Sequence, residues 1–229
     1  MIREWIQRLW YHIARIICAT VVCLPCRVRI YGRKNLPKTG PVLVLSNHQS
    51  FLDPIFGQGM IGRIFHFVAR DSLFKTRFFG ALLRSVYAIP IKRSRGDFAA
   101  IKKIIDKLKQ GRAVCLYPEG TRTSDGKIAD IKPGFGLISR RGGAKVVPAV
   151  IDGAFECWPR HKRFPSIGKV AVSYGRPITV EQVRQLGNEE FARVLTDRLR
   201  EMQNKLRIKS GKEPFDYSRT VQAEVRKVL

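Results

Sequence analysis

The chain has 229 residues, 43 Lys plus Arg against 18 Asp plus Glu, and a formal net charge of +25. A hydrophobic share of 45% and an aromatic share of 10% are enough for a packed core, which excludes disordered, collagen-like and low-complexity classes. The length fits one domain, and so large a positive charge calls for an anionic partner: a nucleic acid, an acidic membrane surface, an acidic carrier or a phosphorylated substrate.

Residues 1–24 come first. Ile2, Trp5, Ile6, Leu9, Trp10, Ile13, Ile16, Ile17, Val21 and Leu24 follow the rhythm of an amphipathic helix, with Arg3, Gln7, Arg8, Tyr11 and Arg15 on the other side. The longest uncharged run, Ile16 to Cys26, is 11 residues, short of the about 20 a spanning helix needs. A secretory signal fits poorly. Glu4 and Arg8 interrupt the start, Arg15 splits the apolar part, and Cys23–Pro25 is a poor cleavage site. Two readings stand: a helix docked on the protein's own core, or one lying in a bilayer interface. Seven basic residues against Glu4 alone within residues 1–34 favour the second.

Five cysteines, Cys18, Cys23, Cys26, Cys115 and Cys157, are odd in number and follow no disulfide framework, as in a reducing compartment. Cys23-x-x-Cys26 lacks the second ligand pair of a tetrahedral zinc site. It reads as small apolar residues closing a hydrophobic segment, and no metal is expected.

After Pro25 the pattern shortens. Strands are predicted at Arg27–Tyr31, Val42–Leu45, Ile64–Ala69, Val86–Ile91, Ala113–Tyr117, Val146–Val150 and Val170–Tyr174. Helices fall between several of them. Asp97–Gln110 puts Ile101, Ile104, Ile105 and Leu108 on one face, with Asp97 to cap its start and Gly111 its end. Thr179-x-x-Gln182 has capping-box spacing ahead of a long amphipathic helix through Phe191, Leu195, Leu199, Met202 and Leu206. The fold class is α/β: one layered domain with a mixed, largely parallel sheet flanked by helices. The expected division is an N-terminal amphipathic membrane-interface helix over 1–25, the α/β domain over 26–209, and a polar, loosely held tail over 210–229.

Four blocks carry chemistry. Asn47-His48-Gln49-Ser50-Phe51-Leu52-Asp53-Pro54 follows a buried strand, where ligand sites of open α/β sheets are built. Asp53-Pro54 has the form of an N-cap with proline at the first helical position. The same aspartate can instead fold back and fix the tautomer of His48. Tyr117-Pro118-Glu119-Gly120-Thr121-Arg122 follows another buried strand. Gly120 permits close backbone approach, and Arg122 offers a fork suited to phosphate, or the stretch is an ordinary turn with an exposed ion pair. Ile89-Pro90-Ile91-Lys92-Arg93 ends a strand in two cations. Val147-Pro148-Ala149-Val150 is a strand holding a proline, expected at an edge or bulge.

In this order the blocks NHxSxxD, IPIxR, PEGTR and VPAV resemble the glycerolipid acyltransferases, the family of the 1-acylglycerol-3-phosphate acyltransferases. The resemblance runs from about Val28 to Pro177 and takes in Gly32-x-x-Asn35-Leu36-Pro37 and Ile131-Lys132-Pro133-Gly134. The family often has glycine where Tyr87 stands, and phenylalanine where Ile131 stands.

The resemblance implies acyl transfer from a thioester, acyl-CoA or acyl carrier protein, to the free sn-2 hydroxyl of 1-acylglycerol 3-phosphate, giving phosphatidic acid. His48 would be the general base and Asp53 its orienting carboxylate. Arg93, Gly120, Thr121 and Arg122 would meet the acceptor phosphate, with Lys132 a secondary contact. Glu119 would fix Arg122 or accept from an acceptor hydroxyl. No acyl-enzyme and no cofactor are required, so Ser46, Ser50 and Cys115 are not assigned as nucleophiles. Glycerol 3-phosphate, another lysophospholipid or a lyso-aminolipid stay open as acceptors. The expected location is the cytoplasmic face of a membrane, held on its anionic surface. A non-catalytic membrane-binding or nucleic-acid-binding protein is the rival from another class. The spread of basic residues, eight in Lys92–Arg112 and five in Arg160–Arg176, and the lack of a nucleic-acid motif argue against nucleic acid.

Overall fold

In the computed structural model, residues 2–58, 61–92 and 97–217 are described. The strands are β1 Arg29–Tyr31, β2 Val42–Ser46, β3 Phe65–Arg70, β4 Ala88–Ile91, β5 Ala113–Leu116, β6 Lys145–Asp152 and β7 Ala171–Tyr174. Each falls on one of the apolar runs read from the sequence, with ends shifted by a residue or two. They form one sheet in the order β1-β7-β6-β2-β5-β3-β4, parallel throughout except for the antiparallel pair β6 and β7.

Alternation along the central strands feeds two cores. Leu43 and Leu45 of β2, with Val114 and Leu116 of β5, point to one face. Val42 and Val44, with Ala113 and Cys115, point to the other. The helices are α1 Ile2–Cys18, α2 Asp53–Gln58, α3 Arg77–Ser85, α4 Phe98–Lys109, α5 Phe135–Gly142, α6 Ala154–Cys157 and α7 Val180–Lys209. Ile104, Leu108, Ile138, Leu195 and Leu199 of α4, α5 and α7 cover the first face. Phe56 of α2, Cys157 of α6, and Cys23 and Cys26 beyond α1 cover the second.

The end signals operate as chemistry requires. The Asp97 carboxylate accepts from the N–H of Ala100 at 3.0 Å. Thr179 and Gln182 form both halves of a capping box. Gly187, at φ 73° and ψ −173°, breaks α7 near its start.

Of the two settings expected for Pro148, an edge or a bulge, the edge is ruled out, because β6 has β2 on one side and β7 on the other, and the bulge is found. Pairing with β7 stops at Ala149↔Tyr174 and resumes only at the Val146↔Ile178 bridge. Pro148 lies in that gap, so its missing N–H breaks no ladder bond, while its carbonyl accepts from Gly175 N–H at 2.8 Å. Of the tail expected to be loosely held, residues 211–217 are bonded to the domain, and residues 218–229 lie outside the described residues. Asn204 of α7 brackets Phe215, accepting its N–H at 2.8 Å and donating to its carbonyl at 3.0 Å. The Tyr217 hydroxyl accepts from Ile128 N–H at 3.1 Å. The two aromatic rings give this polar stretch an apolar footing that charge counting overlooks.

Helix α1 is turned with its polar stripe inward. The Tyr11 side chain is buried and its hydroxyl accepts from Phe65 N–H at 3.3 Å. Gln7 donates to the carbonyl of Arg84 at 3.3 Å and Trp10 to the Ser85 hydroxyl at 2.8 Å. The apolar stripe is exposed: Ile2 at 77%, Trp5 at 66%, Leu9 at 46% and Ile16 at 55%. Phe78 and Phe79 of the neighbouring α3 are exposed too. No helix among the described residues is long and apolar enough to cross a membrane. All five cysteines are free thiols.

Candidate active site

Two adjacent parallel strands bring the site together. β2 and β5 pair with Leu45 beside Leu116, so the chain leaves both at the same carboxyl edge. The block after β2 and the block after β5 therefore become neighbours, at the edge where open α/β sheets carry ligands.

The Asp53 carboxylate turns back rather than capping α2 forward. Its Oδ2 accepts from His48 Nδ1 at 2.6 Å, Gln49 N–H at 2.6 Å and Ser50 N–H at 2.8 Å. The loop is short enough for one buried carboxylate to gather all three. A proton on Nδ1 bound to a carboxylate leaves the Nε2 lone pair of His48 as the acceptor. Tyr117 stacks on the imidazole with ring centroids 4.2 Å apart and planes 19° apart. The Asp53 side chain is fully buried while that of His48 stays 22% exposed, so the ring meets solvent with its orientation held from behind. The Ser50 hydroxyl accepts from Leu52 N–H at 3.3 Å and supports the turn.

The second block closes on the first through the main chain. Thr123 N–H donates to the carbonyl of His48 at 2.8 Å. Arg122, next to it, stands with Cζ 3.4 Å from the ring centroid of exposed Phe51, a cation–π contact. Phe51 also meets Trp158, centroids 5.4 Å apart. Gly120 has φ 72°, a turn conformation that suits glycine, and both it and Thr121 are exposed at the tip.

Glu119 engages the main chain with both carboxylate oxygens. Its Oε1 accepts the N–H of His48 at 2.8 Å and its Oε2 that of Ala129 at 3.1 Å. Burial pushes its pKa up to about 7, against the two main-chain bonds that lower it. Burial also pushes the Cys115 thiol up to about 12, which leaves it a poor nucleophile.

The structure brings His48, Asp53, Glu119 and Arg122 into one cluster. Lys132 is exposed in the stretch leading to α5, beyond Ile131, whose N–H donates to Thr196 of α7 at 3.1 Å. Arg93 lies outside the described residues. Sequence reasoning missed Tyr117, because an aromatic residue closing a strand reads as core. It also missed Gln49, whose buried amide donates to Gly126 at 2.9 Å and accepts from Phe155 N–H at 3.2 Å. Its place beside His48 in the motif is the signal that could have found it.

Similarity to known proteins bears on this cluster. A family model described as acyltransferase matches residues 27–152. The chain is 29% identical over 193 residues to the 1-acyl-sn-glycerol-3-phosphate acyltransferase LPAT1, chloroplastic, of Arabidopsis thaliana, with 82% of this chain and 54% of that protein covered. It is 29% identical over 184 residues to the 1-acyl-sn-glycerol-3-phosphate acyltransferase of Bacillus subtilis, covering 78% of this chain and 89% of that one. The crystal structure of the 1-acyl-sn-glycerophosphate acyltransferase PlsC from Thermotoga maritima is similar with a TM-score of 0.68 and 26% identity, over 78% of this chain and 71% of that chain. The chain thus spans about half the length of the chloroplast relative and most of the bacterial one. The matched region contains both loops of the cluster and more than half of the sequence, and on that ground the chain belongs to the acyltransferase family.

Proposed function

We propose that the protein transfers a fatty acyl chain from a thioester, acyl-CoA or acyl carrier protein, to the sn-2 hydroxyl of 1-acylglycerol 3-phosphate. The observation that carries this reading is the 2.6 Å contact between His48 Nδ1 and Asp53 Oδ2, which leaves Nε2 as a base at the exposed side of the ring. The acceptor hydroxyl gives its proton to Nε2 as its oxygen attacks the thioester carbonyl. The tetrahedral intermediate then collapses. The C–S bond breaks and the imidazolium returns the proton to the departing thiolate. Asp53 stabilises the positive charge that His48 carries between the two steps.

Arg122 has a different task. A guanidinium beside the loop of His48 matches a phosphate dianion in charge and fork geometry. Holding the phosphate at one end of a small acceptor places its hydroxyl at the other, so binding energy contributes through orientation. Phe51 under the guanidinium fixes its direction. The outward apolar stripe of α1 supports docking on a membrane surface, where both the acceptor and its product reside.

An acceptor panel with one acyl-CoA, read by release of free thiol, tests the reading. 1-Acylglycerol 3-phosphate is expected to be the preferred acceptor. His48→Ala should abolish turnover in a folded protein, and Arg122→Ala should raise the acceptor KM far more than the donor KM. Near-normal turnover by His48→Ala would remove the general base. A preference for an acceptor without phosphate would remove the role of Arg122.

A further inference from the structure

The two oxygens of Asp53 are treated unequally. Three donors converge on Oδ2, while Oδ1, in a residue with no solvent exposure, has no partner among the described residues. Two other buried polar atoms nearby are in the same condition: Ser46 Oγ at the end of β2 and Gln58 Nε2 at the end of α2. Their residues are 2% and 7% exposed. All three residues line one interior cavity of about 10 Å³, between the sheet and α2, lined further by Cys115, Tyr117 and Tyr174 and by apolar side chains such as Val44, Phe65 and Ile151.

A carboxylate oxygen buried without a donor costs free energy comparable to or larger than a lost hydrogen bond. Three such atoms around one small space make a coincidence implausible. The space is about the size needed for a single water centre, and a buried water needs two to four polar partners. The chemistry also matches in kind. Asp53 Oδ1 only accepts, Gln58 Nε2 only donates, and the Ser46 hydroxyl does either. A water can donate to Asp53, accept from Gln58 and exchange its remaining bond with Ser46. Gln58 also lies against the Cys115 thiol, a weak partner that does not replace an oxygen.

We propose that this cavity binds one structural water, and that Ser46 and Gln58 are positioning residues that act through it on Asp53. The catalytic part of this inference rests on the general-base reading of His48. A donor on Oδ1 blocks rotation of the carboxylate, so that Oδ2 stays aimed at the imidazole. It also withdraws negative charge from the carboxylate, so that Asp53 steadies imidazolium without holding its proton too strongly. Among titratable and charged groups, Glu119, Cys115, Tyr117, Tyr174 and Arg122 also surround His48, Asp53 and the cavity. Of those whose pKa is shifted, only Glu119 falls near neutrality, and it stays in place in the variants below.

The direct test is a high-resolution crystal structure of the full chain. A single density peak within hydrogen-bond distance of Asp53 Oδ1, Ser46 Oγ and Gln58 Nε2 is expected. A dry cavity, or a direct bond from Ser46 to Asp53 Oδ1, would overturn the proposal whatever the enzyme's activity. The kinetic test uses Ser46→Ala and Gln58→Met, which remove one polar partner each. Both should lower kcat about tenfold, leave the acceptor KM unchanged and move the acid limb of the kcat/KM profile to higher pH. A fall in kcat with an unmoved acid limb would reduce Ser46 and Gln58 to packing residues. Failure of the general-base reading shows separately, as turnover by His48→Ala with the water still in place.

Discussion

Glu119 Oε1 accepts the main-chain N–H of His48 at 2.8 Å. With Oε2 on Ala129 N–H, one carboxylate ties the loop after β2 to the loop after β5 and to the stretch that follows. The position of the imidazole along its own chain is thus set by a residue of the other block. Arg122 and Thr123 hang from the same junction. A carboxylate facing a substrate phosphate would be repulsive, but one turned inward onto amide donors organises the loops instead.

This clamp has a pH signature. The unfolded carboxylate titrates near 4.5, and burial raises the folded value to about 7. The folded state therefore binds the proton more tightly. Between those values stability contributed by this group falls as pH rises, since ionising it inside costs more than ionising it in water. Glu119→Gln is neutral throughout and resembles the protonated acid in shape. Wild type and variant should melt close together at pH 5. By pH 8 the variant should be relatively more stable, by on the order of 3 kcal/mol if the full shift is realised. Its turnover should fall even so, because one amide oxygen cannot serve two N–H donors. Melting curves of both proteins from pH 5 to 8 check this. A difference that does not change with pH would mean the group titrates elsewhere.

Tyr87 supplies a second test. Where the family often has glycine, this tyrosine keeps the left-handed backbone, with φ 64°. Its ring lies 5.6 Å from that of Tyr11 and 5.2 Å from that of His66, centroid to centroid. Aromatic contacts of this kind contribute about 0.5–1.5 kcal/mol each, enough to offset the roughly 1–2 kcal/mol that a side chain loses at positive φ. Tyr87→Ala keeps the strain and loses the ring, whereas Tyr87→Gly loses both. The alanine variant should therefore be less stable than the glycine variant by about 1 kcal/mol, measured by urea unfolding. Equal stabilities would show that the left-handed conformation carries no cost here.

Those cases mark what was legible in the sequence. The seven strands were, because each is a short apolar run closed by turn residues, and so were the caps at Asp97 and Thr179, because capping is local chemistry. The His48–Asp53 contact spans one loop-to-helix turn and is written in its spacing. The bonds of Glu119 were not, because amide donors are invisible until tertiary structure aligns them. Pro148 could be read as edge or bulge but not decided between them, because the break in pairing opposite it is set by residues some thirty positions away. Helical periodicity gave α1 a stripe but not a direction. Only the buried Tyr11 and the bonds from Gln7 and Trp10 to α3 show that the polar side is the docked one.

That direction yields the last test. A helix with Ile2, Trp5, Ile6, Leu9 and Ile16 facing outward leaves much apolar area in water, and Phe78 on α3 extends it. Insertion of this stripe into the headgroup region would bury several large side chains, each worth about 1.5–3 kcal/mol when fully buried. Trp5→Asp and Leu9→Asp change the outward face and leave the contacts of Gln7, Trp10 and Tyr11 intact. Each should lower partitioning onto vesicles of phosphatidylglycerol and phosphatidylcholine by tenfold or more in a sedimentation assay, since a charge replaces an anchoring side chain. Turnover of a short-chain acceptor dissolved below its micelle limit should stay near wild type, because neither Trp5 nor Leu9 is among the residues that meet His48. Unchanged partitioning in both variants would mean that this stripe meets something other than lipid, since so much apolar surface in a soluble monomer would otherwise stand uncovered.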